Sequence, residues 1–176
     1  MTNKRQQKLE AEFSALGIPF DAPGFDAHPS FFRAEQVDSQ FLGKYAEYVI
    51  HRDYDEAYLE SARPKIESIA TFLAAALKAD GRKGACIDAS QALSRMLDNL
   101  GIWNTMIKGA LTISFNPSLE VKRKYFPPMM APGNKAKAGH VWIAAPPFIV
   151  VDVTAKFQPY VNGEERYLPE CVFIET

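Results

Sequence analysis

Histidine and cysteine are scarce in this chain of 176 residues, with three of the first and two of the second. Cys86 and Cys171 are too few for a disulfide framework, and they are too widely scattered from His28 and His51 to show a metal-ligand spacing. Neither a metal nor a cofactor is expected. Charge of one sign is lacking too. Lys plus Arg at 20 against Asp plus Glu at 21 leaves a formal charge of -1, which gives no electrostatic reason to bind a nucleic-acid backbone or an anionic membrane. No apolar run approaches a membrane-spanning length, and residues 1–12 are charged and polar, unlike a signal sequence. The expected setting is cytoplasmic, with both cysteines as free thiols. Internal repeats and low-complexity tracts are missing as well.

Apolar residues are abundant, at 47% hydrophobic and 12% aromatic. Such a chain can bury one substantial core and is too short for two ordinary domains, so a single domain over residues 1–176 is expected. Its first part, residues 1–80, reads as mainly helical. Leu9, Phe13 and Leu16 mark a short helix that Gly17 stops. Residues 18–30, with three prolines, read as an ordered loop, and residues 36–58 as one or two amphipathic helices carrying Phe41, Tyr45, Tyr48, Tyr54 and Tyr58. Pro64 suits a first helical position, followed by a core face of Ile66, Ile69, Phe72, Leu73, Ala76 and Leu77 up to Asp80-Gly81.

After the turn at residues 81–84, Ile87, Leu93, Met96, Leu97 and Leu100 define a helix closed by Gly101. Residues 103–108 and 110–115 read as a strand that either continues past a bulge at Gly109 or turns there into a hairpin. Residues 116–139 hold four prolines and the lysines 122, 124, 135 and 137, and read as a long, solvated surface excursion. Residues 140–145 and 148–153 are apolar strands joined across Pro146-Pro147, and residues 167–174 can add another.

Cys86 falls in the first turn of its predicted helix. There the unpaired amides and positive dipole end favour a thiolate, and small Gly84 and Ala85 let a substrate carbonyl approach. A thiol beside an apolar helix is also an ordinary core residue, so Cys86 by itself leaves both readings open. His140 opens one apolar strand and Asp152 lies near the end of its neighbour, which in an antiparallel pair puts the two roughly opposite one another. An imidazole so placed can take the thiol proton while the carboxylate fixes its tautomer, activating sulfur for attack on an acyl carbon. Cys171 reads as a packed thiol, and Trp103 and Trp142 as core aromatics.

Taken together, Gly84-Ala85-Cys86, then Ala89 and Leu93 leading to Leu100-Gly101-Ile102, then Lys108-Gly109, Gly139-His140-Val141-Trp142 and Val151-Asp152-Val153-Thr154 resemble the transglutaminase-like superfamily over about residues 81–157. That resemblance implies an α+β papain-like core in which a nucleophile-bearing helix packs on an antiparallel sheet, here with an extra, mainly helical N-terminal region. It implies Cys86 as nucleophile, His140 as general base and acid, and Asp152 as the group that orients the imidazole. Val153 stands where the family often has proline, and no glutamine lies shortly upstream of Cys86 to serve as an oxyanion donor. The expected activity is hydrolysis of an amide or peptide bond in a peptide or protein substrate through a thioester. Transfer to an amine, an inert protein-binding core, and leader-peptide maturation are the alternatives.

Overall fold

The computed structural model describes residues 3–127 and 139–175. Five α-helices come first: α1 (Lys4–Ala15), α2 (Pro29–Val37), α3 (Leu42–His51), α4 (Glu56–Asp80) and α5 (Cys86–Asn99). Six strands follow: β1 (Thr105–Gly109), β2 (Leu111–Ile113), β3 (Lys124–Phe126), β4 (His140–Ala145), β5 (Phe148–Asp152) and β6 (Val172–Glu175). The chain is therefore α+β. Among the described residues no helix is long and apolar enough to cross a membrane.

Local chemistry explains where the helices begin. The Asn3 side chain accepts from the amides of Arg5 and Gln6 at the start of α1, and Asp55 Oδ1 accepts from the Tyr58 amide, 2.7 Å away, at the start of α4. Proline at the first position of α2 is joined by His28 Nδ1, which accepts from the Ser30 amide at 3.2 Å. The segment expected to be all loop thus ends in a helix start, and it also holds a short 3-10 turn, Phe25–Ala27.

Pro64 does not begin its helix; α4 starts two turns earlier and carries the ring inside it. A proline there removes one backbone bond and costs about 3 kcal/mol. Burial of Ala62, Ile66, Ala70 and Ala74 along one stripe offsets that loss. The stripe is mostly alanine because α4 lies directly against α5, and small residues let two helix backbones approach. Phe72, expected on this face, points outward at 66% exposure.

Two apolar clusters form. One packs α4 and α5 onto the main sheet, with Leu93 and Leu97 meeting Ile143, Val151 and Val153. The other is built by the N-terminal half from edge-to-face rings such as Phe25 and Tyr45, whose centroids lie 4.9 Å apart. Trp103 joins this second cluster.

The main sheet has the order β1-β4-β5-β6, all neighbours antiparallel, and β2 pairs with β3 in a separate two-stranded sheet. Neither expectation for Gly109 holds: β1 pairs with β4, and after Gly109 the chain leaves for the other sheet. A Cβ on Gly109 would lie 2.8 Å from the Trp142 ring, so the close crossing needs glycine. The expected excursion contains β3, and its Lys124 is not solvated but bonded to buried Glu164 at 2.6 Å. Lys135 and Lys137 lie outside the described residues. The strand expected at residues 167–174 is displaced toward the C-terminus, because Glu164–Tyr167 forms a 3-10 turn before β6.

Candidate active site

Cys86 is the first residue of α5 and is 7% exposed. Gly84 sets it there: its φ of 70° reverses the chain, and its N–H donates to the Phe157 carbonyl at 2.9 Å, tying the helix entry to the segment after β5. Ala85 occupies the N-cap without a side-chain acceptor, so the amides of the first turn are not consumed by a cap. They remain free for a thiolate or an oxyanion. Farther along α5, the buried Ser90 hydroxyl donates to the Val141 carbonyl at 3.2 Å and fixes the helix against β4 beside His140.

His140 begins β4 and Asp152 ends β5; both are buried, at 1% and 3% exposure. The strands pair with Ile143 across from Val151, so the position facing Asp152 is Trp142, and His140 is one diagonal step away on the same face. The two are thus roughly opposite across the strand pair, offset by one diagonal step. The imidazole reaches across it, with His140 Nε2 and Asp152 Oδ2 2.5 Å apart. The Trp142 ring stacks beside the imidazole at 6.2 Å and 25°.

The two carboxylate oxygens have different duties. Oδ1 accepts from the Thr154 amide at 2.7 Å, the Thr154 hydroxyl at 3.0 Å and the Ala155 amide at 2.9 Å, leaving Oδ2 to His140. An ionised carboxylate only accepts, which assigns the proton of this bond to Nε2. Nδ1 is then the basic nitrogen. It is buried and makes no aligned hydrogen bond among the described residues.

Cys86 stands close enough to this ring to change its ionisation. Hydrogen bonding and charge interaction with His140 hold the thiol below its ordinary range against the opposing effect of burial, and the Val141 and Ile87 backbone amides add to the lowering. Burial by itself would lower the imidazole, but bonding to Asp152 and Cys86 outweighs it and raises His140 to about 9. The thiol acts on the ring from close by, without an aligned bond to Nδ1. All three sequence-predicted residues come together: a buried thiol held below its ordinary range, an imidazole beside it, and a fixed carboxylate bonded to that imidazole.

Other candidates fall elsewhere. Cys171 packs against the α4–α5 cluster, and burial pushes its thiol up to about 11. His28 caps α2 and His51 ends α3. Among the described residues no three His, Cys, Asp or Glu side chains could hold a metal ion together. Sequence reasoning assigned no role to Thr154, Ala155 or Ser90. The Asp-x-Thr spacing at residues 152–154 is an Asx-turn signal that could have found Thr154; nothing local marks Ser90. Searches of protein-family models, of curated proteins and of solved structures find no match for this chain.

Proposed function

We propose that this protein is a cysteine-dependent acyl-transfer enzyme that hydrolyses an amide or peptide bond, built on a transglutaminase-like variant of the papain-like core. The observation that carries the proposal is the buried line from Asp152 through His140 to Cys86, with Nδ1 left without an aligned partner. Support for the core type is the order of parts: cysteine at a helix start, histidine at a strand start, aspartate on the adjacent strand.

In the reaction, the Cys86 thiolate adds to the acyl carbon of the substrate, and the carbonyl electron pair moves onto oxygen, where the first-turn amides of α5 can meet it. The intermediate collapses, the C–N bond breaks, and the imidazolium of His140 gives its Nδ1 proton to the departing amine. A thioester remains. His140, now neutral, takes a proton from water as that water attacks the thioester; the carboxylic acid leaves and the proton returns to the Cys86–His140 pair. Asp152 keeps Nε2 protonated throughout.

The test is iodoacetamide labelling across pH for wild type and His140→Ala, with the modified cysteine mapped by mass spectrometry, followed by intact-mass screening of candidate peptides. Fast labelling of Cys86 near neutral pH that slows in the variant, with hydrolysed products, is expected. Products gaining the mass of an added amine would replace hydrolysis with amine transfer. Slow labelling that is indifferent to His140 would favour an inert binding core.

A further inference from the structure

A groove of about 740 Å³ begins one residue from the candidate nucleophile, within the size range of ligand sites. Ile87 and Gln91 of α5 form one wall, and Leu42 and Ala46 of α3 the other. Along the floor, Thr105, Met106 and Lys108 all contribute, although successive side chains of a strand point to opposite faces. A cavity that meets both faces of β1 runs along the strand's edge. That edge is the outer one of the sheet, since β1 pairs only with β4 in the order β1-β4-β5-β6. Its N–H and C=O groups have no backbone partner among the described residues.

An unpaired strand edge between two walls is a template for extended main chain. The direction of β1 connects it to the chemistry: its last residue, Gly109, pairs with His140, so the groove leads away from the site as it follows β1 back to Thr105. The near end carries the exposed Lys108, and the far end carries Asp26 and Arg95. Arg95 there is engaged by Asp98 at 3.3 Å, and Asn104 also holds Asp98, at 2.8 Å. The half-buried carboxylate of Asp26, which lines the same end, has no ion-pair partner among the described residues. Burial raises both carboxylates above their ordinary values, although the Arg95 charge opposes the rise at each.

Distance sets the spacing. Nine helical steps from Cys86 to Arg95 span about 14 Å. An extended peptide covers that span in about four residues. Resting on the acyl-transfer reading above, we propose that the groove receives an extended segment of the acyl-donor peptide, paired to the outer edge of β1, with a basic side chain about four residues from the reacting acyl group set against Asp26. Helix α3 comes from the N-terminal half, so that half is a specificity wall of the site.

Peptide alkylating agents test this without knowledge of the substrate. Two series of alanine peptides are used, one with an N-terminal chloroacetyl group and one with a C-terminal chloromethyl ketone, each bearing lysine, alanine or glutamate four residues from the warhead. In one series Cys86 should be alkylated about ten-fold faster with lysine than with glutamate, as a single partly desolvated charge contact gives, and the difference should lie in the binding constant. Asp26→Asn should remove the preference, and Arg95→Ala, which changes an exposed side chain, should widen it. Equal rates for all three residues in both series, with iodoacetamide still labelling Cys86 rapidly, would overturn the groove assignment and leave the acyl-transfer reading standing. Slow reaction with every reagent would overturn both.

Discussion

Thr154 gives both its backbone N–H and its hydroxyl to one oxygen of Asp152, at 2.7 and 3.0 Å. With the Ala155 amide added, that oxygen is saturated and the carboxylate cannot rotate, so its second oxygen is held toward His140. A carboxylate held this way only accepts, so the proton of the bond stays on Nε2.

Asp152→Asn tests that dependence. The amide oxygen can keep the Thr154 and Ala155 bonds, but its NH2 then faces Nε2 and forces the proton to Nδ1, where it blocks uptake of the thiol proton. By comparison with the same change in serine hydrolases, acyl-transfer activity should fall by about 10²- to 10⁴-fold. Iodoacetamide labelling at pH 7 should fall by about ten- to thirty-fold as Cys86 reverts toward an ordinary thiol. Kinetics and mapped labelling check both; an unchanged labelling rate would show that Asp152 does not govern the pair.

The pH profile should show two limits. Cys86 is lowered by His140, and His140 is raised to about 9. The lowered thiol ionises at lower pH than an ordinary cysteine while the ring is still imidazolium, so labelling should level off at lower pH than it does without His140. In His140→Ala it should climb about ten-fold per pH unit toward the ordinary cysteine value near 8.5. Hydrolysis should decline above about 9, where the imidazolium that protonates the departing amine is lost.

Stability should also depend on pH through His140. Its folded value of about 9 lies above the ordinary 6.5, so its contribution is fully present below about 6.5 and is lost as the pH rises through about 9. Cys86, lowered in the fold, works in the opposite sense, with stability present above its ordinary value and lost as pH falls through the folded one. A Cys86→Ala background removes that contribution, and with it the part of the His140 rise that Cys86 causes, leaving the part due to Asp152. There, His140→Gln should cost about 1.5–3 kcal/mol at pH 6 and clearly less at pH 10, measured by urea unfolding. A cost independent of pH would sink this assignment.

Gly109→Ala probes the crossing beneath Trp142. The added Cβ would sit 2.8 Å from the indole, so the ring must shift, and the ring is stacked beside His140. Overpacking of this kind costs about 1–3 kcal/mol. Thermal melting should record that loss, and Cys86 labelling at pH 7 should slow as well. A loss of stability with labelling unchanged would mean that Trp142 does not position the imidazole.

The candidate site was legible because its polar residues stand out against apolar surroundings. Cys86 follows a glycine turn at a helix start, while His140 and Asp152 interrupt two apolar strands. What escaped depends on contacts between distant segments. The α4 stripe follows alanines because α5 is near, and Phe72 is outside for the same reason. Lys124 looks like one more loop lysine until Glu164, forty positions later, is brought beside it. The close approach of Gly109 to the Trp142 ring is likewise a contact that no local pattern records.

The division between two apolar clusters has an optical consequence. The chain has two tryptophans, and they report on different places: Trp103 lies within the N-terminal cluster with the Arg52 guanidinium 4.4 Å above it, and Trp142, in neither cluster, lies beside His140. Trp103→Phe would leave fluorescence that senses ligands near the His140 imidazole, while Trp142→Phe would leave a probe of the aromatic cluster. Each half of the molecule thus carries its own intrinsic dye.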